Sequence, residues 1–471
     1  MGYIDYRREP CSDIAFIDMK SFYASVECVE RGLHPLRTSL CVMSRADNSN
    51  GLILAASPAF KKAFGKQNVS RAYDLPFDVQ TRRFDYYKAK KQGVPTDHYT
   101  RTKIEYWAQK THIVPPRMGL YIEKNIQIQN LLTNYSPRDE IFPYSIDEGF
   151  IDLTRSLNYF YPNPRLSRAD KLDKLSKRLQ VDIWRETGIY STVGMSNANP
   201  LLAKLALDNE AKKAPNMRAN WSYQDVETKV WQISDLTDFW GIGRRTEKRL
   251  HKLRIYSIKD LANSNPDDLQ KEFGVMGLQL WFHANGVDES NVLRPYRPQA
   301  NGLGNSQVLP KNYDRQTDIE LVLSEMAEQV AIRLRKAHKK TTNVAIFVGY
   351  SRDLARKPIS VQKKVDPTQS TQVLVDYVIQ LFRSKYQGGS VRTIAVRYGS
   401  LIDEQYAFFS LFEDPTVQLR QEQMDQAIDR IRQKFGFLSL QKASALLENS
   451  RVAARAKLIG GHSAGGLDGL I

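Results

Sequence analysis

The stretch Glu140-Ile-Phe-Pro-Tyr-Ser-Ile-Asp-Glu-Gly-Phe-Ile-Asp-Leu153 decides the fold of this protein. Apolar residues lie on both sides of a polar centre, Asp147-Glu148-Gly149, and this pattern predicts a β-hairpin with two carboxylates at its tip. Successive residues of a strand face opposite sides of the sheet, so both carboxylates point the same way only if the chain turns there. Gly149 permits that turn.

The segments around the hairpin predict a ferredoxin-like domain. Ile14–Ile17 is an apolar run that predicts a buried strand ending at Asp18, and residues 21–30 carry apolar side chains at helical spacing. Further strands are predicted at 40–43 and 190–195, and helices at 58–66, 118–132, 168–186 and 201–213. This order is typical of a ferredoxin-like sheet with one large insertion, in which the first and third strands are neighbours. Asp18 is therefore expected beside Asp147 and Glu148.

Three converging carboxylates indicate a metal site. They repel one another unless a cation lies between them, and hard cations such as Mg²⁺ prefer oxygen ligands and leave room for phosphate oxygens. Two such ions about 4 Å apart would activate an attacking hydroxyl and stabilise the leaving oxygen of a phosphoryl transfer. The alternative is three solvated turn carboxylates without a ligand.

Composition and charge narrow the class of protein. The 471 residues suggest three or four domains, and 42% apolar with 25% charged residues argues against full-length disorder. The formal net charge of +16 favours a polyanionic partner, nucleic acid before an anionic membrane surface. No apolar stretch is long enough to span a bilayer, and no secretory signal opens the chain. Three cysteines without a CxxC pair argue against a disulfide framework or a structural zinc site, so we expect a reduced, intracellular protein.

The remaining segments are assigned by composition. Residues 79–117 are polar, aromatic and basic, and we interpret them as a long loop or insertion. Residues 231–290 predict a small helical domain, 291–304 a linker, and 305–412 a second α+β domain with two helices. Residues 416–448 predict a long helical tract, and the Gly-rich residues 460–469 a mobile tail.

Two basic segments indicate contact with DNA. Gly241-Ile-Gly243 is followed by Arg244 and Arg245, as in a helix-hairpin-helix whose glycine loop brings backbone N–H groups to a phosphate. Residues 331–365 contain ten Lys or Arg against one acidic residue, and we predict that a sheet there presents one basic face to a duplex. The lysines expected on that face are Lys339, Lys340, Lys363 and Lys364. The alternatives are an ordinary glycine helix cap and a solvated charged surface.

Three motifs together resemble those of the Y-family, translesion DNA polymerases. Phe16-Ile-Asp-Met-Lys-Ser-Phe-Tyr-Ala-Ser-Val-Glu27 and Tyr144-Ser-Ile-Asp-Glu-Gly-Phe150 resemble the two catalytic signatures of that family. Val193-Gly-Met-Ser196 with Leu202-Ala-Lys204 is similar to its third palm signature. The resemblance covers residues 12–450, and the most similar branch is that of the UmuC-like repair polymerases of Gram-positive bacteria and their mobile elements.

The resemblance implies an α+β, multidomain, right-hand polymerase. Its parts would be a ferredoxin-like palm, fingers, a helical helix-hairpin-helix thumb and an α+β little finger. The implied boundaries are palm 1–30 and 118–228, fingers with the insertion 31–117, thumb 229–292, linker 293–304, little finger 305–413, and a C-terminal helical tract with a mobile tail 414–471.

The resemblance also implies roles for residues of the catalytic site. Asp18, Asp147 and Glu148 match the metal ligands, and the backbone carbonyl of Met19 would be a further ligand. Tyr23 matches the steric gate, an aromatic ring under the incoming sugar that leaves no space for a 2′-hydroxyl.

Neighbouring positions would complete the nucleotide site. Phe22 would point into the palm beside the nucleotide. Lys62 matches a fingers residue that holds the triphosphate, and Lys212 or Lys213 matches a second basic residue from the palm. Many relatives have Tyr where this chain has Ala59, so the contact of that hydroxyl with the triphosphate is absent.

A short apolar peptide predicts a protein partner. Phe408-Phe-Ser-Leu-Phe412 resembles the peptide with which bacterial members of the family dock on the replicative sliding clamp, and Ser410, Leu411 and Phe412 match it. Phe408 replaces the usual Gln and removes an amide hydrogen-bonding group. The alternative is that the segment forms the last strand of the little finger.

These features together predict a low-fidelity, template-directed DNA polymerase that acts opposite damaged template. It would use two Mg²⁺ ions and deoxynucleoside triphosphates on primer-template DNA. We expect a monomer in the bacterial cytoplasm that associates with the nucleoid when bound to DNA and does not bind a membrane. One alternative is a nucleotidyl cyclase, which also uses paired carboxylates on a ferredoxin-like palm. The other is a DNA-binding accessory protein without catalysis.

Overall fold

The computed structural model describes residues 4–44, 51–65, 70–294, 302–405, 415–459 and 462–463. The chain forms two compact units, Met1–Tyr296 and Arg297–Ile471, and the boundary between them falls inside the predicted linker. Among the described helices, none has both the length and the apolar character that crossing a membrane requires. The predicted clamp peptide, including Ser410, Leu411 and Phe412, and most of the predicted mobile tail lie outside the described residues.

The first unit begins with the strand that carries the first candidate ligand. Strand β1 (Ile14–Met19) is followed by helix α1 (Phe22–Val29). Ser21 precedes the helix with a φ of 48°, a left-handed conformation that is unusual for a residue with a side chain. This tight junction turns the chain directly after Asp18 and Met19.

The next elements build the predicted fingers. Strands β2 (Leu40–Met43), β3 (Ile53–Ala56) and β4 (His112–Val114) form a sheet in the order β3-β2-β4. Helices α2 (Pro58–Phe64), α3 (Tyr86–Lys91) and α4 (His98–Lys110) pack around it. The interpretation of residues 79–117 as a long loop was therefore wrong. Asp85 and Asp97 cap α3 and α4 through side-chain hydrogen bonds, and only a narrow apolar stripe of α4 is buried, so the polar composition hid both helices.

The chain then returns to complete the ferredoxin-like sheet. Its elements are α5 (Met118–Leu132), β5 (Ile141–Pro143), β6 (Glu148–Asp152), α6 (Leu157–Phe160), α7 (Arg168–Thr187), β7 (Ser191–Ser196), α8 (Pro200–Ala206) and β8 (Arg218–Asn220). The strand order is β5-β6-β1-β7-β8, so the prediction that the first strand lies beside the carboxylate hairpin is confirmed.

Both faces of this sheet are buried. Ala15, Ile17 and Met19 of β1 contribute to the core formed with α1, α5 and α7, whereas Ile14 and Phe16 face the side of α8. A side chain at Gly194 would collide with α8, because a Cβ atom there would lie 2.1 Å from the carbonyl oxygen of Ala203. The absence of a side chain at Gly194 therefore allows α8 to pack directly against the strand.

The predicted thumb consists of four short helices. They are α9 (Arg244–Lys252), α10 (Ile258–Asn263), α11 (Pro266–Phe273) and α12 (Val275–Ala284). Their apolar faces share one core with α8, including Leu202, Leu250, Leu261 and Leu280.

The second unit contains a four-stranded antiparallel sheet in the order β11-β10-β12-β9. Its elements are β9 (Gly302–Tyr313), α13 (Gln316–Lys336), β10 (Lys339–Tyr350), β11 (Ile359–Thr368), α14 (Thr371–Lys385) and β12 (Val391–Asp403). Both helices pack on one face of the sheet, as the predicted α+β domain with two helical segments requires.

The C-terminal tract is shorter than predicted. Helix α15 (Pro415–Phe435) ends where Gly436 adopts a φ of 92°, and only short elements follow it, α16 (Val452–Ala456), β13 (Leu458–Ile459) and β14 (His462–Ser463). The apolar spacing beyond 435 suggested one helix, but the positive φ of Gly436 breaks the hydrogen-bond ladder. Arg335 on α13 pairs with Asp429 at 2.6 Å and thereby ties α15 to the sheet unit.

Candidate active site

Backbone pairing brings the three predicted carboxylates together at one end of the sheet. In the antiparallel register of β1 and β6, Asp18 is the partner of Glu148. The backbone N–H of Met19 donates to the carbonyl of Asp147 at 2.8 Å. The carbonyl of Glu148 accepts from Tyr144 and Ser145, which closes the turn between β5 and β6. The predicted hairpin is therefore present, with Asp147 in its turn.

Burial opposes the ionisation of two of the three carboxylates, although lysines lie close to this site. Burial raises the pKa of Asp18 to about 7; the Lys212 charge opposes this effect, while Asp147 and Glu148 add to it. Burial also raises the pKa of Asp147, although a hydrogen bond from the Ser145 hydroxyl at 2.8 Å acts against it. A cation between these groups would lower both pKa values. The donor set, three carboxylates beside a main-chain carbonyl, fits a hard divalent ion.

Glu148 is held by a buried lysine. The Nζ atom of Lys204, whose side chain is 8% exposed, lies 3.0 Å from Glu148 and 3.3 Å from Asp208. The same ammonium group lies 4.5 Å from the ring centre of Phe16. Within the part of the chain that the structure describes, no group of three His, Cys, Asp or Glu side chains is arranged to hold a metal ion. The Lys204 ammonium instead engages Glu148, the third of the predicted carboxylate ligands.

A cavity of about 500 Å³ adjoins the carboxylates, and lysines from three separate segments of the chain line it. Lys20 follows β1, Lys61 lies on α2, and Lys212 follows a π-helical turn at Leu207–Ala211. The Lys212 Nζ atom lies 3.9 Å from Asp18, and the Lys20 Nζ atom donates to the Lys212 carbonyl at 3.4 Å. Burial lowers the pKa of Lys20 and Lys61. Three ammonium groups around one cavity are suited to a polyphosphate.

The structure selects among the predicted lysines. Lys61 lines the cavity, and its Nζ atom donates to the Ser21 hydroxyl at 3.4 Å, whereas Lys62 is exposed and does not line the cavity. The two lysines are adjacent in the chain and therefore about 100° apart around the helix, and the role of Lys62 stays a prediction. Of the palm pair, Lys212 lines the cavity and Lys213 does not. The motifs in the sequence did not single out Lys20 or Lys61 as lining residues. The signals that could have indicated them were the position of Lys20 directly after β1 and that of Lys61 on α2.

The Tyr23 ring stacks on Tyr121, which a buried hydrogen-bond network holds in place. The Tyr23 ring is half-buried, lines the cavity and stacks on Tyr121, with ring centres 4.4 Å apart and planes at 15°. The Tyr121 hydroxyl donates to Glu27 at 2.7 Å, and Arg117 donates two hydrogen bonds to the same carboxylate at 2.9 and 2.7 Å. Although burial opposes it, hydrogen bonds from Arg117 and Tyr121 keep the pKa of Glu27 below its usual value. Phe22 is 2% exposed and belongs to the palm core, although it borders the cavity.

The predicted thumb residues Gly241, Gly243, Arg244 and Arg245 form an exposed corner before α9. Gly241 has a φ of 97°, and Gly243 is the N-cap of α9. A Cβ atom at either glycine would meet nothing within 4 Å, so the backbone there is open to a ligand. Arg244 and Arg245 follow at the start of α9 and are exposed.

The lysines of the second unit do not share one face. Lys363 is the register partner of the buried Val344; its Nζ atom donates to Gln380 of α14 at 3.2 Å, so it lies on the helix-covered side. Lys340 is 5% exposed. Lys364 is exposed as the register partner of Asn343, and Lys339 forms an ion pair with Asp403. The four lysines therefore do not all lie on one face, because alternate strand residues face opposite sides, and their contact with DNA stays a prediction.

The open side of that sheet instead carries a shallow groove of about 750 Å³. It is lined by small and polar residues together with Arg397 of β12, Phe347 of β10 and Gln362 of β11. Arg397 was missed, because it lies outside the densest run of basic residues.

Comparison with known proteins identifies relatives along the whole chain. Residues 84–208 match the impB/mucB/samB family, residues 300–411 its C-terminal domain, and residues 237–288 the DNA polymerase-iota thumb domain. The chain is 34% identical over 460 residues to a putative UV-damage repair protein UvrX of Bacillus subtilis, covering 98% of this chain and 99% of that protein. It is 30% identical to a DNA polymerase IV 2 of Halalkalibacterium halodurans, covering 95% and 98% of the two chains.

A solved structure has the same fold. The Y-family DNA polymerase chimera Dbh-Dpo4(243-245)-Dbh superposes with a TM-score of 0.57 at 22% identity, covering 83% of this chain and 99% of that one.

Proposed function

Because this chain belongs to the Y family of translesion DNA polymerases, we propose that the cavity beside Asp18 and Asp147 is where it joins a deoxynucleotide to a primer. The protein is a DNA-directed DNA polymerase of low fidelity that acts opposite damaged template. The observation that carries the site assignment is the meeting of paired carboxylates and three lysines around one cavity.

The proposed metal is Mg²⁺, held as two ions by Asp18, Asp147, Glu148 and the Met19 carbonyl. When bound, it would increase the acidity of the attacking hydroxyl and stabilise the charge on the leaving oxygen. Lys204 would have to yield Glu148 on metal binding, and Asp208, 3.3 Å from its Nζ atom, remains as its partner.

The side chains of this protein would then bind and orient the substrates. Lys20, Lys61 and Lys212 would hold the triphosphate, and the Tyr23 ring would lie under the sugar. The primer 3′-oxygen forms a bond to the α-phosphorus as the bond to the pyrophosphate oxygen breaks, and the hydroxyl proton leaves to solvent. The role of the protein is mainly to position charge, which is general for phosphoryl transfer.

A primer-extension assay with Mg²⁺ tests this function directly. A polymerase lengthens a labelled primer by template-directed steps, a nucleotidyl cyclase converts a nucleoside triphosphate without DNA, and an accessory protein binds DNA without converting nucleotides. Extension that depends on template sequence supports the proposal, whereas cyclisation or binding alone contradicts it. The family membership favours the first outcome.

DNA binding is expected to depend steeply on salt. If the exposed Gly241–Arg245 corner and the open sheet side contact six or more phosphates, affinity falls by about 10³-fold or more between about 50 and 200 mM salt. The double variant Arg244→Ala, Arg245→Ala should reduce the slope of log K against log salt by about two. Lys363→Ala is the matched control, because that lysine faces α14. Equal slopes for all three proteins, measured by fluorescence anisotropy, would contradict the assignment.

We propose from the sequence alone that the peptide Phe408–Phe412 binds the sliding clamp. Replacing Leu411 and Phe412 with Ala should remove binding to the sliding clamp and shorten products on clamp-loaded templates, without changing the melting temperature. If the segment is instead a buried strand, the same change costs several kcal/mol of stability and the folded fraction keeps clamp affinity. Melting temperature and clamp affinity of one variant distinguish the two.

Two further proposals concern the oligomeric state of the protein and its location in the cell. We expect a monomer in the cytoplasm that associates with the nucleoid through primer-template DNA. Light scattering of the free protein tests the first point, since a dimer mass would contradict it, and fluorescence microscopy of a tagged chain tests the second.

A further inference from the structure

Helix α4 in the fingers carries an exposed stripe of alternating tyrosines and lysines. The stripe consists of Tyr99, Lys103, Tyr106 and Lys110, at spacings of four, three and four residues. At 100° per residue these side chains lie within about 60° of one another around the helix. Tyr99 is 75% exposed and Tyr106 is 51% exposed.

The opposite side of α4 fixes the direction of the stripe. Ile104 and Ala108 are buried in the fingers core together with Phe60 and Phe64 of α2. Helix α2 carries Lys61 into the nucleotide cavity, so α4 packs on the element that forms one wall of the site. The stripe therefore lies on the solvent-exposed side of α4, opposite the core of the fingers.

These side chains have few bonds to the rest of the protein. Lys110 donates to the Tyr106 hydroxyl at 2.6 Å, and its Nζ atom lies 4.2 Å from the ring centre of Tyr106. Within the described ranges, Tyr99 and Lys103 have no side-chain hydrogen bond or ion pair. The Tyr106 ring also contacts the Trp107 ring edge-on, with ring centres 5.9 Å apart. Tyr99 and Lys103 therefore make no polar contact that the packing of the helix requires.

The chemistry of the stripe fits single-stranded DNA. Flat aromatic faces stack on unpaired bases irrespective of sequence, and interspersed lysines neutralise the backbone phosphates. Tyr99 and Tyr106 are seven residues apart, which is about 10 Å along a helix and matches the advance of two or three nucleotides of a partly extended single strand. A duplex offers no exposed base faces along its side, so it would use the lysines but not the tyrosine rings.

We propose that this stripe binds the single-stranded template ahead of the primer terminus. The inference rests on the proposed polymerase function, which requires a single-stranded template ahead of the primer terminus. It adds a contact made by base stacking to the DNA contacts proposed at the thumb corner and the open sheet side. It also gives the segment 79–117 a function of its own.

The test compares primer-templates that differ only in the length of the 5′ template overhang. The full-length protein should bind an overhang of about ten nucleotides tenfold or more tightly than an overhang of one nucleotide. The double variant Tyr99→Ala, Tyr106→Ala should bind both equally while it extends the one-nucleotide template at the wild-type rate. That rate and the melting temperature show that the variant folds and that the polymerase function is intact.

Two controls separate stacking from other effects. The variant Tyr99→Phe, Tyr106→Phe keeps the rings and should keep the preference for the long overhang. Tyr159→Ala removes a tyrosine that is more exposed than either of them, 82% accessible and outside the fingers, and should change nothing. An overhang preference that survives the loss of both rings overturns the proposal, as does a wild-type protein that shows no preference while extending primers normally.

Discussion

Replacing Asp147 with Asn is expected to reduce nucleotide addition by roughly 10³-fold or more, since a metal-bound transition state gains several kcal/mol from the ion that this carboxylate would hold. Asn is nearly isosteric and can still accept a hydrogen bond from Ser145, which contacts the carboxylate at 2.8 Å, so the turn should keep its shape. Primer-template affinity should change little, because the exposed Arg244 and Arg245 lie elsewhere.

Single-turnover primer extension and DNA anisotropy measure the two effects separately. Asp139→Asn is the matched control, because it removes the same charge from an exposed position of the same segment. It should leave both quantities unchanged. An Asp147→Asn protein that extends primers near the wild-type rate would show that the metal site has been assigned to the wrong residue.

The second large effect is expected on the choice of sugar. Tyr23→Ala should raise incorporation of ribonucleotides relative to deoxynucleotides by about 100-fold, with a smaller loss in deoxynucleotide incorporation. The Tyr23 ring is stacked at 4.4 Å on Tyr121, whose hydroxyl is bound to the fully buried Glu27. With this support the ring cannot withdraw from an added 2′-hydroxyl, and truncation to Ala opens the space.

The variant Tyr23→Phe separates ring from hydroxyl. It keeps the stacked ring and should keep the preference for deoxynucleotides, so kcat/KM for paired ribo- and deoxynucleotides would match the wild type. If Tyr23→Ala leaves the sugar preference unchanged, the gate lies at another residue of the cavity.

The sequence was sufficient wherever a property depends on the identity of a residue and on regular spacing. The alternation around Asp147-Glu148-Gly149 predicted the hairpin, and the strand–helix order predicted that Asp18 would lie beside it, as the register of β1 and β6 confirms. The net charge of +16 and the glycine corner at Gly241 likewise pointed to a polyanionic partner. These inferences need only local geometry and the known order of a ferredoxin-like sheet.

The tertiary structure alone decided which of two adjacent residues faces a site. Lys61 rather than Lys62 lines the cavity, and the exposed Lys363 and Lys364 lie on opposite sides of their strand, Lys363 on the side of α14. One step along a helix turns a side chain by 100°, and one step along a strand moves it to the other face. An error of a single residue in register therefore reverses the assignment.

Contacts between distant segments of the chain also could not be predicted from the sequence. Lys204 binds Glu148 across 56 residues, and Arg117 binds Glu27 across 90. Motif spacing identified the residues of the carboxylate hairpin, because they are neighbours in the chain. The partners that orient those residues are neighbours only after folding, because burying a charge requires a counter-charge from whichever element packs there.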